Sequence, residues 1–190
     1  SLIPSVMTGY GRKALWPKDG INPLHPSMDR RPKKLRIMTY NSTGLGSDKT
    51  DYINSLCNDH NVDILFLQEI WLSNRNMTRL ANIHDDFLFY GVSGMTDDKL
   101  LLGRPYGGVA ILWRKNVSNQ VVPTKVSCQC VCAVKAIFGE NNFDVLFING
   151  YMPCDNNSRN TCRNDFIEAM DSIECLIAQH ATCAIYCLRR

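Results

Sequence analysis

The 190-residue chain contains no C-x-x-C pair, although it holds nine cysteines, and no histidine sits near a cysteine pair at zinc-ligand spacing. A structural zinc site is therefore not expected. No apolar run approaches the ~18 residues of a membrane span, so no membrane contact is expected. The N-terminal stretch lacks an apolar segment followed by a small-residue cleavage site, which argues against secretion. There is no internal repeat. Charged residues make up 21% and hydrophobic residues 45%, a balance that excludes a disordered chain and fits one globular domain with its own core.

What is present is unevenly distributed. Residues 1–36 hold eight Lys/Arg and two Asp/Glu, a net +6, whereas the whole chain carries +3. Pro4, Pro17, Pro23, Pro26 and Pro32 punctuate this stretch, so residues 1–34 read as a basic, disordered leader. Such a leader can touch nucleic acid or remain a solvated tail. Residues 35–190 read as the folded domain. Cys128, Cys130 and Cys132 alternate along an apparent strand. They would share one face and span roughly 13 Å, too far for one metal ion, so they read as small buried hydrophobes. The whole cysteine set reads as free thiols in a reducing compartment, intracellular, in cytoplasm or nucleus.

Order is expected from Leu35. Leu35 to Tyr40 reads as a strand running into Asn41, and Ser47 as the cap of a helix over Asp48 to His60. The continuous apolar run Ile64-Leu65-Phe66-Leu67 within Asp63 to Gln68 reads as a strand buried on both faces, completing a β-α-β unit. Phe87 to Val92 and Gly108 to Arg114 read as strands separated by a polar loop, Ser93 to Gly107. Val126 to Phe138 and Phe143 to Tyr151 read as a hairpin turning on residues 139–142. Ser158 to Gln179 reads as a helix with Phe166, Ile167, Met170, Ile173, Leu176 and Ile177 on one side, and Cys183 to Leu188 as a further buried strand. The fold class is mixed α/β.

Three polar residues close predicted strands: Asn41, Glu69 and Tyr151. A carboxylate directly after a buried strand needs a cation or hydrogen-bond donors to offset desolvation. A hard divalent ion such as Mg²⁺ takes one or two carboxylates and keeps several waters. An Asn amide both donates and accepts, and a Tyr hydroxyl can donate to a phosphate oxygen. Together the three suit phosphodiester chemistry, in which a metal ion stabilises developing charge. Each alone also fits a plainer role: Asn as a turn former, Glu as a solvated loop residue, Tyr before Pro as packing.

Four strings, in this order, carry more. Thr39 to Gly46 reads TYNSTGLG, Val62 to Leu72 reads VDILFLQEIWL, Tyr106 to Arg114 reads YGGVAILWR, and Phe147 to Asp155 reads FINGYMPCD. Over Leu35 to Leu188 the chain resembles the endonuclease/exonuclease/phosphatase superfamily, most closely the apurinic-type endonuclease domain of non-LTR (LINE-like) retrotransposons. The resemblance implies a four-layer, DNase I-like α/β sandwich and Mg²⁺-dependent hydrolysis of DNA, with Mn²⁺ as an alternative ion. It implies that Asn41 orients catalytic groups and helps hold the metal, that Glu69 binds the metal, and that Tyr151 contacts the scissile phosphate. Gly107 and Gly108 match a small pair opening a core strand, with a structural role.

The sequence departs from that pattern at named places. The apurinic endonucleases place an Asp two positions after the Asn, where this chain has Thr43, and an Asn three positions after the Tyr, where it has Cys154. Retrotransposon members vary at both. The Gly-Asp-x-Asn motif would follow Leu188, where Arg189 and Arg190 stand, and the terminal Ser-Asp-His motif does not occur. None of His25, His60, His84 or His180 lies in a comparable motif. The resemblance therefore implies a domain lacking its last third. Two functional readings stand. One is a retrotransposon-derived, metal-dependent endonuclease domain acting on DNA. The other is a non-catalytic truncated remnant that binds nucleic acid at most through its basic leader. No protein partner is implied.

Overall fold

The computed structural model describes residues 6–7, 34–95, 106–118, 120–139, 142–152 and 160–189. The remainder of the leader, most of the polar loop after Ser93 and the Cys154 position lie outside the described residues. Within the leader, Val6–Met7 (β1) pairs antiparallel with the start of Ile37–Asn41 (β2).

The expected β-α-β unit is present. β2 leads through Ser47–Asp59 (α1) to Ile64–Gln68 (β3), and β2 and β3 pair in parallel with Asn41 opposite Gln68. β3 is buried at every position, which its unbroken apolar run requires. α1 starts differently from the expectation. Gly46 is its N-cap and Ser47 already helical, with no side-chain cap. The extended Gly46 instead presents its carbonyl to Thr50, which donates from both N (3.0 Å) and Oγ1 (2.9 Å). A 3-10 helix, Asn74–Asn82, then leads to Phe87–Val92 (β4), and Val109–Arg114 (β5) pairs antiparallel with both β3 and β4. The first sheet thus has the order β1-β2-β3-β5-β4.

The second sheet has the order β6-β7-β8-β9. Its first strand, Gln120–Thr124 (β6), has no counterpart in the sequence reading, because Pro123 argues against a strand. An edge position tolerates the missing N–H. Val131–Phe138 (β7) and Phe143–Gly150 (β8) form the expected hairpin, but β7 begins at Val131 rather than Val126. Residues 129–130 form a turn instead, which breaks the expected cysteine alternation. Cys132 faces the core between the sheets, while Cys128 packs on the opposite side of the second sheet. Cys57, Cys128, Cys130, Cys132, Cys175, Cys183 and Cys187 are free thiols.

Asn160–Gln179 (α2) and Ala184–Arg189 (β9) complete the chain, with β9 parallel to β8. α2 buries Ala169, Ile173 and Leu176, whereas Phe166, Ile167 and Ile177 are exposed; the apolar stripe is narrower and rotated relative to the expectation. β9 is not the buried strand the sequence suggested. It is an edge of its sheet, and Ile185 is 37% exposed.

The layers follow from the burial pattern. Met38, Leu65, Leu67, Ala110 and Leu112 face Ile53 and Cys57 of α1 and Leu80 of the 3-10 helix. Ile64, Phe66, Val109 and Ile111 meet Val134, Ala136 and Phe147 between the sheets. Val131, Ala133, Leu146 and Ile148 meet α2. Helix, sheet, sheet and helix make an α/β sandwich, as expected. No helix among the described residues is long and apolar enough to cross a membrane.

Candidate active-site rim

Parallel pairing puts the ends of β2 and β3 on one rim, and the loops beyond them stay paired. Ser42 N donates to Gln68 O (2.9 Å), Gly44 N to Glu69 O (2.7 Å) and Leu45 N to Ile70 O (3.0 Å). On the other flank Ile70 N donates to Gly108 O (3.3 Å) and Trp71 N to Gly107 O (2.9 Å). The segment carrying Glu69 is therefore held between two loops.

That clamp retains strained backbone. Thr43, Glu69 and Trp71 have φ of 43°, 52° and 54°, each costing about 1–2 kcal/mol in a non-glycine residue. Gly44, at φ 91°, lies where any Cβ would enter the Trp71 ring. Gly108, at φ 83°, would place a Cβ 2.8 Å from Ile70 Cγ1, so its role is structural.

The side chains meet on this rim. Asn41 Nδ2 donates to Glu69 Oε1 at 2.8 Å, and Asn41 Oδ1 accepts the Thr43 N–H at 3.0 Å. The two bonds fix which way the amide faces. The Ser42 hydroxyl lies 3.0 Å from Gln68 O and 2.9 Å from Glu69 O. Lys49 Nζ reaches back from α1 to Ser42 O (2.6 Å), Thr43 O (3.0 Å) and Thr43 Oγ1 (3.1 Å), closing the loop with a cation.

Behind the rim a buried polar network ties the sheets together. Gln68 Nε2 donates to Asn149 Oδ1 (2.8 Å), and Asn149 Nδ2 donates to Leu67 O and Ala110 O (2.8 Å each). Thr39 Oγ1 donates to Gln68 Oε1 at 3.3 Å. Gln68 precedes Glu69, and Asn149 stands two residues before Tyr151, so the network brings the end of β8 to the same rim. Tyr151 packs against the inter-sheet core, and its N–H donates to Cys130 O at 2.9 Å. The structure thus joins Asn41 to Glu69 directly and links β3, through Gln68 and Asn149, to the end of β8 that Tyr151 follows. Sequence reasoning missed Lys49, Gln68 and Asn149. For Gln68 and Asn149 the available signal was a carboxamide closing an apolar run in each strand, Ile64 to Leu67 and Val145 to Ile148.

Among the described residues no group of three or more His, Cys, Asp or Glu side chains could hold a metal ion. One half-buried carboxylate with a carboxamide beside it fits a hard divalent ion that keeps most of its waters, and does not fit a closed protein cage. A cleft of about 510 Å³ between α2 and Lys125–Ser127 shares no lining residue with the rim.

No curated protein sequence matches the chain. Among solved structures it is similar to the 3'-5' exonuclease NExo from Neisseria meningitidis, with TM-score 0.56 and 17% identity, over 80% of this chain and 56% of that one. It is similar to the AP endonuclease LMAP from Leishmania major, with TM-score 0.50 and 13% identity, over 70% and 44%. The human Nocturnin catalytic domain gives TM-score 0.54 and 11% identity, over 82% and 62%. The chain spans about half the length of the solved structures it matches, and at these identities the likeness establishes the fold. The family model described as "Endonuclease/Exonuclease/phosphatase family" matches residues 38–186, from β2 to within β9, and the chain belongs to that family.

Proposed function

We propose that the 190 residues carry the metal- and phosphate-binding part of a divalent-metal-dependent DNA phosphodiesterase site, in the lineage of non-LTR retrotransposon endonucleases. The observation that carries this is the Asn41–Glu69 hydrogen bond at the paired ends of β2 and β3. Glu69 is the metal ligand. Asn41 turns one Glu69 carboxylate oxygen toward itself and would help Glu69 hold the ion. Tyr151 offers its hydroxyl as a donor to a phosphate oxygen. A bound cation would supply charge stabilisation for the phosphate oxygens during cleavage. The family assignment and the similarity to a DNA-hairpin complex of 3' phosphatase NExo support DNA as the substrate class.

Hydrolysis also needs a base for the attacking water and an acid for the leaving oxygen. Asn41, Glu69 and Tyr151 supply neither while Glu69 holds a metal. The expected result for the 190 residues alone is Mn²⁺ binding that Glu69→Gln abolishes, with no Mg²⁺- or Mn²⁺-dependent nicking of plasmid DNA. Nicking that disappears in Glu69→Gln would make the chain an endonuclease by itself. Absence of Glu69-dependent metal binding would overturn the site. A reverse-transcriptase frame beside the coding sequence is the outcome expected for the retrotransposon lineage.

A second reading assigns nucleic-acid binding to the basic leader, from its net +6 over residues 1–36. Salt-sensitive DNA retention that is lost on deleting residues 1–34 supports it. Retention unchanged by the deletion moves the binding surface to the folded body.

A further inference from the structure

We propose that Cys128 and Cys130 are a modification site: a dithiol that a hydroperoxide oxidises to a disulfide within the turn before β7, displacing the backbone that holds Tyr151. The two residues are two apart in a turn, and Cys130 N lies 3.4 Å from Cys128 Sγ as its donor. Cys128 is buried and Cys130 half-buried. The Cys130 carbonyl accepts the Tyr151 N–H at 2.9 Å, and the Cys128 carbonyl accepts the Val131 N–H at a long 3.4 Å. Any change in the Cys130 peptide plane is therefore felt at Tyr151.

The thiols are unequally poised. The hydrogen bond from Cys130 pulls the Cys128 thiol down to about 7, against burial and the carboxylates of Glu168 and Asp165. The same bond, with burial, pushes Cys130 up. Elsewhere burial alone pushes Cys132 up, and at Cys57 it outweighs the pull of Arg114. Since the thiolate is the nucleophile, the turn is the reactive place among these.

The reaction balances in two steps. The thiolate sulfur attacks one peroxide oxygen, the O–O bond breaks, and the other oxygen leaves and takes a proton as water or alcohol. The second thiol then attacks the resulting sulfenic sulfur. The S–S bond forms, the S–O bond breaks, and hydroxide departs with the thiol proton as water. Each sulfur loses one electron and the peroxide gains both. A ring closed between residues two apart is strained, so the bond is readily reduced by thiols.

The test uses the full chain, treated with hydrogen peroxide. Differential alkylation and fragment-ion sequencing of the peptide Val126–Lys135 show which cysteines have been oxidised. Amide hydrogen exchange follows Tyr151. The expected result is a thiol-reversible link between Cys128 and Cys130, with Cys132 still reduced and Tyr151 exchange about tenfold faster. The link persists in Cys183→Ser, which removes the other half-buried thiol packed on the same cluster. A link from Cys130 to Cys183, irreversible oxidation without a link, or unchanged exchange at Tyr151 would each overturn the proposal. The inference leans on the proposed function only in giving Tyr151 a role. Mass and exchange report on it even if Glu69 binds no metal, so the two can fail separately.

Discussion

Asn41 and Glu69 lie 28 residues apart and share one hydrogen bond, Nδ2 to Oε1 at 2.8 Å, made possible by the parallel register that sets Asn41 against Gln68. The carboxylate therefore has a fixed orientation before any ion arrives. Removing a partner that orients a metal ligand costs about 10- to 100-fold in metal affinity. Asn41→Ala is expected to weaken Mn²⁺ binding by about tenfold, measured by titration with electron paramagnetic resonance detection. Asn41→Asp, which replaces the donor by a second carboxylate, should restore affinity if charge near the ion is what matters. It should leave affinity low if orientation of Glu69 is what matters, as the hydrogen bond implies.

Much of this rim was legible in the sequence. The β3 run Ile64-Leu65-Phe66-Leu67 reads as buried on both faces, and a carboxylate directly after it needs a cation or donors to offset desolvation. What was not legible depends on pairing between distant segments. The clamp of the Glu69 loop by Gly107 and Gly108 exists only because β5 pairs with β3 antiparallel. β6 was missed because Pro123 signals a break unless the strand is known to lie at an edge. The α2 stripe was too wide because periodicity cannot say how much sheet lies beneath a helix. Ala169, the small residue that permits close approach, was overlooked in favour of the exposed Phe166 and Ile167.

Thr43 is exposed and β-branched, yet has φ 43°. Asn tolerates this left-handed region far better than Thr does. Lys49 keeps two carbonyl partners in the loop whatever stands at this position. Thr43→Asn is expected to raise stability by about 1 kcal/mol, read as a higher urea midpoint with an unchanged slope. A lower midpoint would mean that the Thr43 hydroxyl bond to Lys49 outweighs the strain.

Gly44 has the opposite problem. Its φ of 91° and the Trp71 ring beside it leave no room for a methyl group. Gly44→Ala combines left-handed strain with overpacking against a side chain that is itself held at φ 54°. A loss of about 2–4 kcal/mol is expected by urea unfolding. Thr43→Asn and Gly44→Ala thus move stability in opposite directions at adjacent positions.

Asn149 is fully buried and all of its amide bonds cross between sheets. Asn149→Ala removes both donors to Leu67 O and Ala110 O and leaves Gln68 Nε2 without its acceptor. Unpaired buried polar groups dominate the cost, about 3–5 kcal/mol in unfolding free energy. Pairing Asn149→Leu with Gln68→Leu removes both carboxamides together, so the double variant should lose less than the two single variants summed. Additive losses would mean that the two side chains are independent. The orientation of the Glu69 rim would then not depend on the second sheet.

Cys57 tests the layer beneath α1. It is fully buried against the first sheet, and burial pushes its thiol from 9.0 up to about 12, with Arg114 pulling weakly downward. A thiol raised on folding contributes stability that is whole below pH 9.0 and is lost as pH climbs toward 12. Within that window the loss approaches about 1.4 kcal/mol per pH unit. Burial raises the hydroxyls of Tyr40, Tyr90 and Tyr186 too, with the same sign, so total alkaline sensitivity is not diagnostic. The comparison with Cys57→Ala is. That variant is less stable near neutral pH because of the cavity, but should lose stability less steeply between about pH 9 and pH 11. Parallel curves for the two proteins would show that the Cys57 thiol reaches water, and that α1 does not seal the outer face of the sheet carrying Asn41 and Glu69.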